Sequence, residues 1–283
     1  MMWVKSIQSA LNYMEEKLLE ELSIEEIAKQ ANFSVFHFQR TFNVMTGITV
    51  AEYIRRRRLT LAANELRKSD RKIIDIAHKY GYETPEAFSK AFRKQHGITP
   101  TQARKHSGNF ISYNRLVIQV NLKGEDPMNY KIVDHEAFQI IGVRKQFSLI
   151  SEQNLTGITE MWQQVLTDGT DELLSQLNNG PVKGVIGVCD DKSDQSIDYW
   201  IGTAYQDEAP DKFEATEIPA SKWAIFEVHG AMPDAIQKVW KQIFSEWFPS
   251  SSYVHAGTPE LEVYSDGDAS EEDYYSEIWI PVK

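Results

Sequence analysis

A set of residues recurs within the first 107 positions of this 283-residue chain, and this repeat constrains the fold more than any other feature. The pattern Ile27-Ala28, Phe38, Phe42, Gly47-Ile48-Thr49 returns as Ile76-Ala77, Phe88, Phe92, Gly97-Ile98-Thr99, so the second copy lies 49 to 50 residues after the first. Repetition at a fixed period predicts two similar supersecondary units in tandem. The first part of the chain therefore contains two copies of one small motif.

Each copy has the pattern of a short helix, a turn and a second helix. Ser23 with Glu26 three residues later is a capping pattern for the first helix, and Ser34 can cap the second. In the other copy Thr84 precedes Pro85, a favoured first residue of a helix. Apolar residues recur at helical spacing, and strand signals are almost absent before residue 107. We expect residues 1–107 to be all-helical, with two helix-turn-helix motifs.

A longer helix is predicted between the two copies. It starts at the capping pair Thr49 and Glu52 and runs to about Arg67, which makes it roughly 27 Å long at ~1.5 Å per residue. A rod of this length can hold two second helices in successive major-groove segments on one side of a DNA duplex. The run of four arginines at 55–58 lies on this rod and cannot all face one way, so we expect part of it to support packing.

The second helix of each copy carries a polar face opposite its apolar stripe. The eight residues of the two faces are Phe36, Gln39, Arg40 and Asn43 in the first copy and Glu86, Ser89, Lys90 and Arg93 in the second. Guanidinium, amide and aromatic groups can contact base edges and methyl groups in a major groove. Ordinary solvated faces are the alternative, and for a lone helix they are more common. The presence of a second copy favours double-stranded DNA as a partner.

The net charge of −11 hides an asymmetry along the chain. Residues 1–107 hold 18 Lys and Arg against 12 Asp and Glu, a net of +6, which leaves −17 for residues 108–283. A basic first part attracts phosphate, whereas the acidic remainder repels it and suits a cationic ligand. Acidity alone usually indicates only solubility.

The second part of the chain has the pattern of an α+β domain. A polar stretch at 121–127 follows a β-leaning run at 110–120, so we assign residues 108–127 to a linker and 128–283 to the second domain. Strands are predicted at 139–147, 182–188, 197–205, 222–228, 261–264 and 275–282, and helices at about 157–177 and 233–248. The order of one helix and two strands occurs twice, first with Trp162 and then with Trp240 in the helix. This weaker internal repeat predicts two related halves.

Residues 5–105 resemble the AraC/XylS family of transcriptional regulators. The residues that carry the resemblance are Ala77, Gly81-Tyr82, Phe88, Phe92, Gly97-Ile98-Thr99-Pro100 and Arg104. The resemblance implies a double helix-turn-helix domain in which Phe36, Gln39 and Arg40 contact bases and Glu86, Ser89 and Lys90 form the matching face. Several relatives carry an amide where Glu86 stands, so the operator sequence does not transfer.

Residues 129–283 resemble the GyrI-like small-molecule-binding domain, in the layout of the Rob branch of the AraC family. The resemblance rests on Glu227-Val228-His229-Gly230, Met232-Pro233, Glu262-Val263-Tyr264 and residues 277–282. It implies two halves packed around a cleft whose strand carboxylates and aromatic residues line a ligand pocket. It also implies a small-molecule effector.

Strand alternation suggests which side chains line this pocket. Tyr275, Glu277 and Trp279 share one face of their strand, and aligning Ile201 with Ile278 places Trp200 in the position equivalent to Glu277. Glu262 on the neighbouring strand is expected beside Glu277. Aromatic faces and a partly desolvated carboxylate attract organic cations. The alternative is that Trp200 and Trp279 are core residues and the two glutamates are solvated, and we expect Trp162 and Trp240 to be core residues too.

Two other functions stay open for the second domain. Some GyrI-like proteins hydrolyse strained electrophilic compounds, and paired carboxylates can perform acid-base chemistry. The domain could also be a pure protein-interaction module, and RNA polymerase is a candidate partner. The sequence shows no nucleophile paired with a base, no metal-ligand cluster and no nucleotide-binding loop, so we predict no catalytic residues, no metal and no cofactor.

The chain is expected to stay in the cytoplasm. It has no 18-residue apolar run, no amino-terminal signal core and a single cysteine, Cys189, which lies in an apolar run typical of a buried thiol. We therefore predict no membrane partner.

Overall fold

The computed structural model describes residues 2–105, 110–118, 128–150, 154–193, 195–257 and 259–283. The contacts among its Cα atoms divide the chain into two units. Of the described residues, the helical unit comprises 2–33, 38–105 and 110–118, and the sheet unit comprises 34–37 and those from 128 onward. The short segment 34–37 thus packs with the sheet unit, although it opens a helix that continues into the helical unit.

The first 105 residues form seven helices: α1 Met2–Glu16, α2 Ile24–Ala31, α3 Val35–Thr46, α4 Val50–Lys68, α5 Ile73–Lys79, α6 Pro85–His96 and α7 Pro100–Arg104. The predicted caps are confirmed. The side chains of Ser23, Thr49 and Thr84 accept hydrogen bonds from the backbone three residues on, and Pro85 opens α6. The tight turn from α2 to α3 uses Asn32 at φ 56°, a conformation that asparagine tolerates better than most residues.

The aromatic residues of the repeat form the cores of the helical unit. Phe88 and Phe92 of α6 are fully buried in one hydrophobic cluster with Leu59 and Leu66 of α4 and Ile76 of α5. In the first copy Phe38 and Phe42 are buried with their rings 6.0 Å apart. The second half of α4 thus packs in the hydrophobic cluster of the second copy, which we call the second hydrophobic cluster.

Residues 110–118, which we call the strap, form no helix or strand and bond to the helical unit. The backbone N–H of Tyr113 donates to Thr60 Oγ1 at 3.1 Å, and its carbonyl accepts from Arg57 at 2.7 Å. The N–H of Leu116 donates to the Tyr53 hydroxyl, and Phe110 packs on the cluster around Phe92. The sequence assigned these residues to the linker, and the β-leaning run pairs with no strand across 110–118. Its backbone groups bond to helix side chains instead.

The sheet unit contains eight strands and four further helices. In chain order these are β1 Tyr130–His135, β2 Phe138–Ser148, α8 Asn154–Asp168, α9 Thr170–Leu177, β3 Val185–Ser193, β4 Ser196–Ala204, β5 Glu214–Ile218, β6 Ser221–His229, α10 Asp234–Gln242, α11 Phe248–Ser250, β7 Glu260–Tyr264 and β8 Tyr275–Val282. A π-helical turn, Ile243–Trp247, joins α10 to α11. The sequence predicted one helix at 157–177, but Gly169 at φ 75° separates α8 from α9. It also missed β1 and β5.

The strand order reveals the internal repeat. The antiparallel sheet runs β1-β6-β8-β7-β3-β4-β2-β5, which is a palindrome when β1 is matched with β5, β6 with β2, β8 with β4 and β7 with β3. Each half thus supplies four strands, and β7 and β3 meet at the centre. The edge strands are exchanged, because β1 of the first half pairs with β6 and β5 of the second half pairs with β2. The predicted two related halves are confirmed.

The two faces of this sheet have different surroundings. The helix-covered face carries Tyr199, Glu262 and Tyr264, which contact side chains of α8 and α10. The opposite face carries a buried hydrophobic cluster that contains Trp200, Trp223, Trp279 and aliphatic residues of both halves. Among the described residues no helix is both long and apolar enough to cross a membrane.

Candidate functional site

The polar face of α6 is open to solvent. Glu86, Lys90 and Arg93 are exposed, and Ser89 is half-buried. The basic residues Arg93 and Lys94 occupy the last turn of α6, where positive charge complements the helix dipole. The second copy of the motif therefore presents the four predicted residues together on one accessible helix, as a DNA-reading face requires.

The corresponding face of α3 is covered. Phe36 is 6% exposed and Gln39 is 8% exposed, whereas Arg40 and Asn43 are half-buried. The capping hydrogen bond from the His37 backbone to Ser34 Oγ forms as expected. Side chains this deeply buried do not reach base edges, so DNA contact by Phe36 and Gln39 requires that they become exposed. The outward face predicted from helical periodicity is therefore open in α6 but not in α3.

The four consecutive arginines of α4 have mainly structural partners. Arg57 pairs with Glu15 at 2.8 Å, and both side chains are nearly buried. Arg58 donates to the carbonyls of Leu18 and Glu20, while Arg55 and Arg56 pair with Glu52. Arg56 also lies 4.7 Å from the centre of the Tyr113 ring in the strap. These contacts hold α1 and the strap on α4, so the run is not a free phosphate-binding patch.

A cavity of about 940 Å³ lies on the helix-covered face of the sheet. Its walls come from α8 and α9 on one side, from α10 and the residues before it on the other, and from the loop after β7. The floor is formed by β3, β4 and β7. The described lining residues are Ile158, Thr159, Trp162, Leu166, Asp171, Glu172, Ser175, Gln176, Val185, Tyr199, Met232, Pro233, Ile236, Gln237, Glu262, Tyr264–Ser270 and Tyr274.

Glu262 lies on the floor of this cavity. It stands on β7 directly opposite Gly187 of β3, at the junction of the two halves. Trp240 Nε1 donates to one carboxylate oxygen at 2.7 Å, and the Tyr264 hydroxyl donates to the other at 3.0 Å. These bonds fix the orientation of the carboxylate. A carboxylate in a fixed orientation is therefore part of the cavity lining.

Aromatic side chains surround this carboxylate. Trp162 of α8 donates from Nε1 to the Tyr199 hydroxyl at 2.7 Å, and its ring meets Tyr264 edge-on with the centroids 5.0 Å apart. Gly187 makes this arrangement possible, because a Cβ at that position would lie 2.6 Å from the Tyr199 hydroxyl and 3.2 Å from the Trp162 ring. The cavity thus combines one carboxylate with ring faces and edges.

Glu277 lies on the opposite face of the sheet. The register pairs Glu262 with Ile278 and Val263 with Glu277, so the two glutamates point away from each other. The prediction that they are neighbours in one pocket is wrong. Successive side chains of a strand point to opposite faces of the sheet, so Glu262 and Glu277 lie on opposite faces. The alternation of Tyr275, Glu277 and Trp279 along β8 is confirmed, since they share this face.

A smaller cavity of about 550 Å³ adjoins Glu277. The Tyr275 hydroxyl and Trp279 Nε1 donate to the two oxygens of this carboxylate at 2.6 and 2.7 Å. Lys131 Nζ lies 3.3 Å from the same group, so a cation of the protein already offsets the charge of Glu277. Burial and the hydrogen bond to Glu277 raise the pKa of the Tyr275 hydroxyl, which therefore stays a donor at neutral pH.

Two of the predicted ligand-binding tryptophans belong to the core. Trp200 is 3% exposed and Trp279 is nearly as buried, and both join the hydrophobic cluster of the opposite face. The residues that surround Glu262 were missed as ligand candidates. Tyr264 had a signal, since it lies two residues after Glu262 and shares its face. Trp162 and Trp240 were expected in the core, and Trp240 is indeed fully buried, yet its indole nitrogen reaches the carboxylate.

One group of potential metal ligands comes together among the described residues, and it lies within the sheet unit. His37 Nδ1 and His255 Nε2 each lie 3.1 Å from the same oxygen of Glu260. Gly257 donates its backbone N–H to His255 Nδ1, so the proton of the neutral ring is on Nε2 and faces Glu260. That tautomer has no lone pair left for an ion. Of the two histidines, His37 makes the hydrogen bond to Glu260.

Comparison with known protein families identifies both units. The family described as the GyrI-like small molecule binding domain matches residues 128–283, more than half of the chain. The chain belongs to the GyrI-like family. A helix-turn-helix domain family matches residues 14–106. The GyrI-like domain thus follows a DNA-binding domain of AraC type, and the resemblances inferred from the sequence are confirmed.

Curated relatives match part of this chain. The uncharacterized HTH-type transcriptional regulator YbfP of Bacillus subtilis is 41% identical over 112 residues, 40% of this chain and 38% of YbfP. The regulatory protein SoxS of Escherichia coli is 41% identical over 100 residues, 35% of this chain and 94% of SoxS. The right origin-binding protein of Escherichia coli is 35% identical over 149 residues, 52% of this chain and 50% of that protein. The chain therefore spans half or less of two of these three relatives.

Among solved structures, SAV2435 bound to tetraphenylphosphonium is 27% identical to this GyrI-like chain. The match has a TM-score of 0.49 and covers 55% of this chain and 94% of SAV2435. The two family matches and the regulator relatives together identify the protein as a DNA-binding transcriptional regulator with a small-molecule-binding domain.

Proposed function

We propose that this regulator responds to an aromatic organic cation that binds in the cavity above Glu262. The observation that carries the proposal is a carboxylate held by two neutral donors on the floor of a cavity of about 940 Å³ with aromatic walls. A cation with ring substituents would match both the carboxylate and the walls.

Physical magnitudes support the choice of ligand class. An aromatic face attracts a cation by about 0.5 to 2 kcal/mol, more when water is excluded. A half-buried carboxylate such as Glu262 is screened less than a surface group, so its attraction to a cation exceeds the ~0 to 1 kcal/mol of exposed ion pairs. By contrast, a ligand cation beside Glu277 would have to displace Lys131. The cavity on the helix-covered face is therefore the better binding site for a cation.

Ligand binding in this cavity would act on transcription through the AraC-type domain. We propose that the occupied protein changes its affinity for its operator and contacts RNA polymerase, and that it does so in the cytoplasm. YbfP is named as a transcriptional regulator and SoxS as a regulatory protein, which supports this proposal. In vitro transcription with purified polymerase, with and without ligand, measures the response directly.

The decisive test compares Glu262→Gln with the matched variant Glu277→Gln, which removes the same charge on the opposite face. Tetraphenylphosphonium and a neutral triaryl phosphine oxide are titrated calorimetrically into each full-length protein. We expect Glu262→Gln to lose about tenfold in affinity for the cation, equivalent to ~1.4 kcal/mol, and to change little for the neutral compound. Glu277→Gln should resemble the wild type with both.

Two outcomes would count against the proposal. Unchanged cation affinity in Glu262→Gln would exclude this carboxylate from the site, and a selective loss in Glu277→Gln would move the site to the smaller cavity. A further titration with a strained electrophilic compound tests the hydrolase alternative. Consumption of an electrophilic ligand by the wild type, with binding but no turnover in Glu262→Gln, would favour an enzyme over a sensor.

A further inference from the structure

The first turn of α3 is held within the sheet unit by a buried contact. His37 is 4% exposed, and its Nδ1 hydrogen-bonds to Oε1 of Glu260 at 3.1 Å. Glu260 is equally buried, and the His255 ring stacks on the His37 ring with the centroids 4.4 Å apart. Segment 34–37 as a whole groups with the sheet unit. His37 therefore occupies a defined site among residues of that unit.

Two phenylalanines complete this site. Phe244 and Phe248 are buried and meet the His37 ring edge-on, with the centroids at 5.7 and 6.5 Å. Edge-on contacts between rings and hydrogen bonds to a carboxylate are both favourable, and they are stronger where water is excluded. We call Phe244, Phe248, His255 and Glu260 the His37 site.

This contact restrains a segment that DNA recognition needs. Phe36, one of the predicted base contacts, directly precedes His37 and is 6% exposed. A helix that reads DNA lies in the major groove with its side chains at the base edges. Phe36 therefore cannot reach a base edge while His37 stays in its site.

The His37 site is connected to the cavity above Glu262. Glu260 and Glu262 lie two residues apart on β7, so their side chains share the helix-covered face of the sheet. Trp240, which donates to Glu262, stacks on Phe244 with the centroids 5.5 Å apart. A ligand that draws the Glu262 carboxylate away from Trp240 therefore disturbs an indole whose stacked neighbour contacts His37.

We infer that segment 34–37 makes an autoinhibitory contact, which keeps the first helix-turn-helix motif from reading DNA until an effector above Glu262 releases it. The release by an effector rests on the proposed function, whereas the contact itself does not. A protein whose binding-competent state is only partly populated binds with an apparent affinity reduced by that fraction. Loss of the contact therefore raises the apparent affinity for DNA.

Glu260→Gln tests the contact, because it removes the charge that His37 meets and changes the shape of the side chain little. The matched control is Glu217→Gln, which removes an exposed carboxylate of β5 and changes the net charge equally. Fluorescence anisotropy at fixed salt measures the binding of each full-length protein to a duplex that the wild type selects from random DNA. We expect Glu260→Gln to bind this duplex about tenfold more tightly than the wild type, and Glu217→Gln to stay within about twofold.

Phe36→Ala, added to each of these two variants, separates release of α3 from a general change in the domain. In Glu260→Gln the segment is already free, so loss of the Phe36 ring should lower the affinity for the selected duplex by about tenfold. In Glu217→Gln the same substitution also loosens the buried segment, and this gain should limit the loss to about threefold or less. Equal losses in the two backgrounds would overturn the inference.

Tetraphenylphosphonium separates the contact from the proposed function. It should raise the DNA affinity of the wild type by about threefold or more and leave that of Glu260→Gln nearly unchanged. If it has no effect on the wild type while Glu260→Gln binds DNA more tightly, the effector link fails and the contact stands. If Glu260→Gln and His255→Ala, both folded by circular dichroism, bind DNA no more tightly than Glu217→Gln, the contact is not autoinhibitory.

Discussion

Glu262 faces Gly187 across the central strand pair, and the absence of a side chain at Gly187 makes room for aromatic side chains of the cavity. The Trp162 and Tyr199 side chains occupy the space above Gly187. This is a close approach rather than a backbone requirement, since Gly187 is not among the glycines with positive φ. The chemistry of the cavity therefore depends on a residue that contributes no functional group.

Gly187→Ala should reduce the affinity for tetraphenylphosphonium while the domain still folds. The added methyl group would displace the Tyr199 hydroxyl and break its hydrogen bond with Trp162, at a cost of about 1 to 3 kcal/mol in stability. We expect an affinity loss of about tenfold or more by calorimetry. Gly257→Ala is a poor control because its φ is positive, so Ala204→Gly, a core truncation, serves to separate stability from binding. An equal effect of both changes on ligand affinity would contradict the argument.

The open face of α6 is the place to test base recognition. Lys90→Ala should weaken binding to the specific operator by ~1 to 3 kcal/mol if the ammonium contacts a base, with a smaller loss on random DNA. Lys238→Ala, which removes an exposed charge from α10, controls for net charge. Electrophoretic mobility shifts at fixed salt measure both. Equal losses on operator and random DNA would assign Lys90 to the phosphate backbone.

Among the elements, the strap is the one whose role differs most from expectation. Its backbone groups bond to Tyr53, Arg57 and Thr60 of α4, and Phe110 covers the second hydrophobic cluster. The fragment 1–118 should therefore be more stable than 1–107 by roughly 2 to 4 kcal/mol, from a few hydrogen bonds and one partly buried aromatic ring. Urea denaturation of the two fragments measures the difference.

A fragment 1–118 with Phe110→Ala separates the two contributions to that difference. It should fall between the other two fragments, because it keeps the hydrogen bonds of Tyr113 and loses the ring that packs against the cluster. Identical urea midpoints for 1–107 and 1–118 would mean that the strap does not stabilise the helical unit.

Local signals account for the elements that the sequence predicts correctly. Ser23, Thr49 and Thr84 cap helices because the donor they satisfy lies three residues away, and the alternation along β8 is a property of the strand itself. Gly169 had a local signal too, but the apolar pattern on both sides of it favoured one long helix.

The unpredicted features depend on contacts between distant segments. The local sequence does not show whether Glu262 or Val263 pairs with Glu277, because the register of the two strands is set by the whole sheet. The strap looked like a strand because the helix side chains that bond to it lie more than 50 residues away. Burial of Phe36 and Gln39 has the same origin, since the periodicity of α3 defines a face without saying whether anything covers it.

At the scale of the whole molecule, net positive and net negative charge lie in different parts of the chain. The basic part contains the two helix-turn-helix motifs, and the acidic part contains a cavity whose described charged lining is entirely negative. Part of this acidity thus lines the cavity in which we propose that a cation binds. The same charge would repel DNA phosphate, which keeps nucleic acid from competing for the cavity.

The exchanged edge strands imply that the sheet unit can be made from two polypeptides. The connection from β4 to β5 is exposed at residues 206–208, yet β1 and β2 of the first half pair with β6 and β5 of the second. Separate chains 1–207 and 208–283 should therefore assemble when co-expressed and copurify on a tag carried by one of them. A 208–283 fragment recovered alone in soluble, folded form would contradict this.

Successful assembly would turn the exchange of strands into a tool. With the DNA-binding motifs on one polypeptide and half of the cavity on the other, neither piece alone would hold a complete ligand seat. Transcription from the operator would then report the association of the two polypeptides in the cell, and a ligand that contacts both halves would stabilise that association.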